Sequence, residues 1–148
     1  MSLTRRELCS LLPAAILPAA LAFDAAAADD SSLPSGFFPF DSQPTHNNPS
    51  TGSMRRDVLK GKLATGESLE VHATMLPPGA MPHPPHHHVH SEMWLIREGT
   101  LELTVNGKSQ RLGPGSVGFV RSNEEHGVKN VGNAPAHYFV VAVGPGAV

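Results

Sequence analysis

Five of the nine histidines in this 148-residue chain lie in one short run, HPPHHHVHSE, which ends at Glu92. If the run is extended, its side chains alternate between two faces, so His86, His88 and Glu92 project to the same side. Two imidazoles and one carboxylate form a mixed nitrogen and oxygen donor set that suits a divalent transition metal. The spacing therefore predicts a metal site, to which a distant strand could add a fourth ligand.

The other histidines are predicted to have different roles. His87 falls on the opposite face of an extended segment, and His83 lies in a proline-rich loop. His90 shares the parity of His86 and His88 but sits where the chain is expected to bend. We expect all three to be surface or loop residues. His72 and His137 are expected to be strand residues whose hydrogen bonds are satisfied, or outer partners of metal-bound imidazoles.

The elements that would position these side chains are short strands. From residue 55 onward, alternating or wholly apolar runs are separated by glycine- and proline-rich turns, which is typical of all-β sandwiches and barrels. No run shows a helical apolar repeat, so we expect no helix in the core. The predicted strands are SLEVHATML, EMWLIRE, TLELTV, KSQRL, SVGFV, HGVKNV and AHYFVVAV.

Three of these strands make more specific predictions. SLEVHATML alternates strictly, with Glu70 and His72 on its polar face. EMWLIRE is largely apolar, and its central Trp94, Leu95 and Ile96 are expected in the core. TLELTV is followed by Asn106-Gly107, a strong signal for a two-residue hairpin turn.

The composition limits the class of protein. Hydrophobic residues make up 40% and charged residues 16% of the chain, which is enough to bury one domain-sized core. The formal charge is −2 and no lysine or arginine cluster occurs, so there is no electrostatic reason to expect nucleic acid as a partner. The single cysteine, Cys9, lies in the N-terminal segment, which excludes thiolate and disulfide chemistry for the remainder.

Residues 1–28 have the composition of a cleavable export signal. An arginine pair, Arg5 and Arg6, precedes an alanine- and leucine-rich run that closes on small residues. The pair is similar to a twin-arginine signal, which exports folded proteins. We therefore expect a bacterial protein that is periplasmic or extracellular, without a stable membrane anchor after cleavage.

The segment that follows, residues 29–54, is rich in serine, proline and asparagine and is predicted to be an extended or flexible arm. Its three phenylalanines, Phe37, Phe38 and Phe40, are expected to pack along the barrel or a partner subunit, because each can bury a large apolar surface. Residues 55–148 are then left as the β-barrel domain.

Two spaced motifs in this sequence resemble those of the cupin superfamily. The first is Gly79, six residues, His86-His87-His88, three residues, Glu92, six residues and Gly99. The second is Gly115, five residues, Arg121-Ser122-Asn123, two residues, His126, three residues and Asn130. The chain has one extra residue after Gly79, and Arg121 and Asn123 replace the proline and glycine of the family pattern. Neither change alters a ligand position, and asparagine tolerates positive φ.

The resemblance covers residues from about 68 to 143 and implies a single-domain, type-2 cupin (a monocupin). Such a protein has an all-β fold, the double-stranded β-helix or jelly-roll β-barrel, with a metal inside. The implied metal ligands are His86, His88, Glu92 and His126, and Glu92 is also the candidate catalytic residue. Iron or manganese is favoured, with nickel, zinc, cobalt or copper as alternatives. The resemblance also implies a homodimer.

Three functions are compatible with this sequence. The first is a metal-dependent, dioxygenase-like oxidoreductase acting on a small organic molecule, with Glu92 as a ligand or a proton acceptor. The second is an exported small-molecule or metal-binding module without turnover, and the third is a metal-dependent isomerase or hydrolase. The sequence does not choose among them, because this barrel hosts many chemistries. Arg121 is either a turn residue or a contact for an anionic substrate.

Overall fold

The computed structural model describes residues 32–147 of the chain. The predicted export signal, residues 1–28, lies outside the described residues. Within 32–147 the chain forms nine strands and one short 3-10 turn, Phe40–Ser42. The strands are β1 Thr45–Asn48, β2 Ser53–Lys62, β3 Ser68–Leu76, β4 Ser91–Glu98, β5 Leu101–Val105, β6 Lys108–Leu112, β7 Val117–Val120, β8 His126–Asn130 and β9 Ala136–Val143.

The nine strands form two antiparallel sheets. The larger sheet has the order β1-β2-β3-β9-β4-β7, and the smaller has the order β6-β5-β8. The prediction of an all-β chain is confirmed, and the predicted strands correspond to β3 through β9. No helix in residues 32–147 has the length and apolar character needed to cross a bilayer.

Regular structure begins earlier than residue 55. β1 and the start of β2 lie within residues 29–54, and β1 pairs along its whole length with β2. Phe40 packs edge-on against Phe139, with ring centroids 6.2 Å apart, and the guanidinium of Arg56 lies over its ring at 4.6 Å. Phe37, in contrast, is 98% exposed. Packing of this aromatic segment on the barrel is therefore observed for Phe40 and not for Phe37.

The core lies between the two sheets and follows the alternation of the strands. In β4, Trp94 and Ile96 are buried, but Leu95, which was expected in the core, is 40% exposed. The prediction for Leu95 was wrong because consecutive side chains of a strand point to opposite faces, and this one points away from the core. The buried members of β9 alternate in the same way and are Ala136, Tyr138, Val140 and Ala142.

β3 turns its polar face toward the inside of the barrel. Glu70, His72 and Thr74 line the interior cavity, whereas Val71 and Met75 point to the outer face and are only partly buried. Alternation in a sequence identifies two faces of a strand but not which of them faces inward. Here the polar face is the one that lines the cavity.

Asn130, at the end of β8, ties the smaller sheet to the end of β3. Its side-chain amide is fully buried and donates hydrogen bonds to the carbonyls of Leu76, at 2.8 Å, and Ala134, at 2.9 Å. Its Oδ1 accepts a hydrogen bond from the backbone N–H of Gly132 at 2.9 Å. One side chain therefore satisfies three backbone groups at the junction of the two sheets.

The hairpin between β5 and β6 is confirmed. Asn106 and Gly107 have φ values of 48° and 75°, and the strands on either side pair in register from Val105 and Lys108 outward. Two successive residues with positive φ are what a type I′ turn requires, and asparagine followed by glycine adopts them at low cost.

We expect replacement of Gly107 by alanine to lower the free energy of unfolding by about 1 kcal/mol, because a β-carbon disfavours positive φ. Space is not the reason, since a β-carbon at Gly107 would meet no atom within 4 Å. Gly113→Ala is the matched control, because Gly113 also has open space but does not have positive φ. Urea denaturation measures both variants, and equal losses would show that backbone strain at the turn is not the cause.

Candidate metal centre

His86 and His126 face each other across a short backbone pairing. Residues 77–90, which connect β3 to β4, run beside β8. The N–H of His86 donates to the carbonyl of His126 at 3.0 Å, and the N–H of His126 donates to the carbonyl of His86 at 2.8 Å. Opposite residues of an antiparallel pair have side chains on the same face. This pairing accordingly places the two imidazoles together, with ring centroids 4.6 Å apart.

His88 completes what we call the histidine cluster, namely His86, His88 and His126. Its ring centroid lies 5.2 Å from that of His86 and 4.7 Å from that of His126. One ring nitrogen from each of the three lies within 4.8 Å of the others. The connection that carries His86 and His88 is not a regular strand, but its side chains alternate as the sequence predicted, with His86 and His88 half-buried and His87 exposed.

Glu92 reaches the cluster from the second residue of β4. Its Oε1 lies 3.4 Å from His88 Nε2, and its Oε2 lies 3.5 Å from His126 Nε2. These are ion-pair distances and are longer than a good hydrogen bond. The structure therefore brings together all four residues that the sequence singled out.

Backbone carbonyls orient two of the three imidazoles. His88 Nδ1 donates to the carbonyl of His90, and His126 Nδ1 donates to the carbonyl of Glu124, both at 2.9 Å. A proton held on Nδ1 leaves Nε2 with its lone pair, as in metal-bound histidines. His88 Nε2, His126 Nε2 and His86 Nδ1 are all buried without a hydrogen-bond partner among the described residues.

A divalent transition metal fits this arrangement. A buried polar atom without a partner costs about 1–3 kcal/mol, so one such nitrogen on each of three histidines whose rings adjoin indicates a shared ligand. Metal-bound imidazole nitrogens lie about 2.0–2.1 Å from zinc, which brings them within roughly 4 Å of one another, close to the spacing in the cluster. The three imidazoles would hold the metal, and Glu92 would supply an oxygen.

The charges in the cluster favour an ionised Glu92 and a neutral His86. Burial alone would raise the pKa of Glu92, but the close approach of His126 and the charges of nearby histidines outweigh it and lower the pKa to about 2. Burial, reinforced by the charge of His83, lowers the pKa of His86 to about 4. Burial opposes protonation of His126, yet contacts with Glu92 and the carbonyl of Glu124 raise its pKa. Ionised carboxylates and neutral imidazoles are the forms that bind metals.

His90 lies inside the site, contrary to the expectation of a surface residue. Its Nε2 is 3.5 Å from Glu92 Oε1, and its ring stacks on that of His88 with centroids 3.5 Å apart. His90 has the same parity as His86 and His88, and the alternation continues through the bend at residues 89–90, so its side chain lies on the ligand side. His87 is exposed, as predicted. His83 is an exposed loop residue whose ring packs edge-on against His86 at 4.3 Å.

Arg121 and Asn123 occupy the turn before β8. The Arg121 guanidinium is exposed and pairs with Glu124 at 2.6 Å, and it is not among the residues that line the cavity. Of the two alternatives for Arg121, the structure therefore supports the turn residue. Asn123 has a φ of 62°, the conformation that glycine would adopt in its place without strain.

A cavity of about 520 Å³ opens beside the cluster. Its wall combines apolar side chains, such as Trp94 and Val140, with the polar residues Glu70 and His72 of β3. Sites for small organic molecules range from about 300 to 1,000 Å³ and have this mixed lining. Since the cluster and Glu92 form part of the same wall, a molecule in the cavity would contact them.

Comparison with known proteins gives one family match within the sequence. The family model described as a cupin domain matches residues 72–142, the segment that contains the cluster and Glu92. A stretch of 71 residues of this chain is 35% identical to part of mannose-1-phosphate guanylyltransferase from Klebsiella pneumoniae. That alignment covers 48% of this chain and 15% of the enzyme, so the likeness is confined to a small part of the enzyme.

Most of this chain superposes on solved structures that have the same fold. An RmlC-like cupin from Shewanella frigidimarina superposes with a TM-score of 0.61 at 20% identity, covering 76% of this chain and 94% of its own. KdgF from Halomonas sp. gives 0.62 at 18% identity, covering 74% and 94%. A predicted oxalate decarboxylase from Thermotoga maritima gives 0.59 at 20% identity, covering 74% and 99%. At these identities the likeness concerns the fold, and the predicted jelly-roll β-barrel is confirmed.

Proposed function

We propose that this protein, whose residues 72–142 match the cupin-domain model, is a metal-dependent, dioxygenase-like oxidoreductase acting on a small organic molecule. The observation that carries the proposal is the convergence of three buried, unpartnered imidazole nitrogens on the wall of a cavity of about 520 Å³. The histidine cluster holds the metal, and iron or manganese is the ion we favour.

When bound, such a metal supplies Lewis acidity and, as iron or manganese, one-electron chemistry with oxygen. The residues of the chain do the rest. The carbonyls of His90 and Glu124 keep the imidazoles of His88 and His126 oriented. Glu92 acts either as a fourth ligand or as a proton acceptor, since its carboxylate faces both of those rings. The apolar part of the cavity wall, including Trp94, excludes water from the bound molecule.

Metal content and oxygen uptake test this function together. We expect the full-length protein, expressed with residues 1–28 in a bacterial host, to carry close to one equivalent of iron or manganese by elemental analysis. It should then consume oxygen with at least one of catechol, a flavonol or acetylacetone, which represent diols, flavonols and β-diketones. His86→Ala should lose both the metal and the uptake, because it removes one of the three convergent nitrogens.

Each other outcome favours a different function. A metal-loaded protein that binds one of these molecules without consuming oxygen or changing it would be a binding module without turnover. Conversion of the molecule without oxygen uptake would indicate a metal-dependent isomerase or hydrolase. Purification without any transition metal, under conditions where the fold is intact, would contradict the metal-dependent functions as a group.

The proposal also includes export, directed by residues 1–28, and a homodimer. Three apolar side chains on the outer face of β4 and β7 support the dimer, because Leu95, Val117 and Phe119 are 40–58% exposed. Contiguous exposed apolar residues of this kind often mark a protein interface. A single species of monomer mass in light scattering would contradict the dimer.

A further inference from the structure

Two residues of β3, Glu70 and His72, form a polar group on the cavity wall that the proposed metal site does not use. The register of the larger sheet places Glu70 in one lateral row with Ala142 of β9 and Glu92 of β4. Neighbouring strands are about 4.8 Å apart, so Glu70 and Glu92 stand about 10 Å apart across β9. The β3 pair therefore stands beside Glu92 on the same inner face of the sheet, at a distance that a small molecule can span.

Glu70 and His72 are joined by a hydrogen bond and are shielded from bulk water. His72 Nδ1 lies 3.0 Å from Glu70 Oε1, and their side chains are only 13% and 14% exposed. His72 shares its own lateral row with Val140 and Trp94, which are apolar. A carboxylate at this distance accepts the Nδ1 proton and fixes the ring tautomer, as it does for catalytic histidines in general.

The carboxylate of Glu70 is itself held in place. Arg55 Nη2 donates to Glu70 Oε1 at 2.8 Å, and Lys60 Nζ lies 3.6 Å from Oε2. Asp57 fixes the Arg55 side chain in turn, accepting from its Nε at 2.7 Å. These contacts, all from β2, hold the carboxylate of Glu70 in position beside His72, since a charge-assisted bond of this kind is strong and geometrically specific.

The second ring nitrogen of His72 is available to a ligand. Nε2 makes no hydrogen bond to any residue of 32–147, and His72 lines the cavity. Burial, reinforced by the charge of Arg55, holds the pKa of His72 below its usual value. The ring is therefore neutral near pH 7, with Nδ1 protonated toward Glu70 and a lone pair on Nε2.

From this geometry we propose that His72, positioned by Glu70, is the proton acceptor of the cavity and takes a proton from a hydroxyl or enolisable C–H group of the bound molecule. In this step the O–H or C–H bond breaks, its electron pair stays on the molecule, and a new N–H bond forms at Nε2. The imidazolium that results is stabilised by the Glu70 carboxylate. The proton can later return from Nε2 to the product. The proton transfer itself therefore consumes no oxidant.

This inference rests on the proposed function, because it requires a ligand between His72 and the metal. The inference gives different tasks to two groups of residues on the cavity wall, the cluster with Glu92 and the pair Glu70 and His72. The cluster and Glu92 bind and polarise one end of the molecule, and His72 receives the proton from the other. The ligands it selects are consequently acidic alcohols, phenols or β-dicarbonyl compounds, which can release a proton near neutral pH once they are polarised.

Diethyl pyrocarbonate, which acylates unprotonated imidazole nitrogens, tests the availability of His72 Nε2 without knowledge of the substrate. The full-length protein is loaded with Zn²⁺, treated at pH 7, and digested, and the acylation rate of each histidine is measured by mass spectrometry. We expect His72 to react at least as fast as His137, a half-buried histidine on the outer face of β9. In Glu70→Gln, the rate at His72 should fall by about fivefold or more, because nucleophilicity follows basicity, whereas the rate at His137 should not change.

Two further variants separate positioning from simple structural support. Glu70→Asp keeps a carboxylate and should restore most of the His72 rate, and Glu102→Gln, in the other sheet, should leave it unchanged. An unreactive His72 in wild-type protein, or a change of less than about twofold in Glu70→Gln, would overturn the inference. The cluster is tested in the same digest. If Zn²⁺ fails to protect His86, His88 and His126, the metal proposal fails, while the rate at His72 still gives a separate result.

Discussion

Replacing His126 with alanine should weaken the binding of Zn²⁺ or Co²⁺ by at least about 100-fold. Loss of an outer partner of a metal ligand already costs about 10- to 100-fold in affinity, and His126 is proposed as a ligand itself. Its Nε2 is one of the three buried nitrogens without a partner among the described residues. The pairing with His86 uses only main-chain atoms, so alanine retains it and removes the donor alone. Competition with a chromophoric chelator measures the affinity.

Two comparisons guard this result against a loss of folding. His87→Ala changes an exposed residue of the same histidine run and should bind metal like wild type. His126 is only 1% exposed, so its truncation also leaves a cavity in the core, whereas His88→Ala removes a more accessible side chain and should give the same loss of affinity. Circular dichroism in the presence of a chelator checks the fold of each variant. Affinities within about threefold of wild type for both His126→Ala and His88→Ala would sink the ligand assignment.

Asn130→Ala should lower the free energy of unfolding by about 3 kcal/mol. The substitution removes three hydrogen bonds at a fully buried position and leaves the carbonyls of Leu76 and Ala134 and the N–H of Gly132 without their partner. An unsatisfied buried group costs about 1–3 kcal/mol, and partial access of water to the loop at 131–134 keeps the sum near the lower limit. Denaturant titration at fixed metal concentration gives the value.

Asn130→Asp and Asn133→Ala bracket the interpretation. Aspartate has the same shape and still accepts from Gly132, but it cannot donate to the two carbonyls, so we expect a loss at least as large as for alanine. Asn133 is an exposed neighbour on the same loop, and its replacement should change stability by less than about 0.5 kcal/mol. A loss below about 1 kcal/mol in Asn130→Ala would mean that water replaces the amide, and the proposed junction between the sheets would then have little energetic weight.

The residue types of the site were readable from the sequence because their chemistry is distinctive. Imidazoles and a carboxylate at short spacing predicted His86, His88 and Glu92, and the resemblance to cupins added His126 at a distance. The Asn106-Gly107 turn was readable for a local reason, since only a few residue pairs adopt two positive φ values. Each of these signals is contained in a few neighbouring residues or in a known motif.

The orientation of side chains was less accessible. Leu95 and His90 were assigned to the wrong environment, and in both cases the error concerned direction, not residue type. Which face of a strand is buried depends on the strands packed around it, and whether the alternation of side chains continues through a bend such as that at residues 89–90 depends on the backbone there. A single sequence contains no direct record of either.

The same limit explains why the sequence did not assign Glu70 and His72 to the cavity. Their alternation with apolar neighbours is typical of a strand with a solvated polar face, and their proximity to the metal site arises only from the pairing of β3 with β9 and of β9 with β4. The register of three strands is needed before Glu70 and His72 can be placed near Glu92 on the cavity wall.

Because His86 pairs with His126 through the main chain, an ion bound at the cluster would stabilise the fold as well as take part in the chemistry. An ion held by both imidazoles would act as a crosslink that closes the segment from residue 86 to residue 126, and crosslinks of long segments restrict the open chain most. Because such an ion favours the closed form, its free concentration would set how rarely the barrel opens. The lifetime of the folded protein would then depend on how well its surroundings supply that ion.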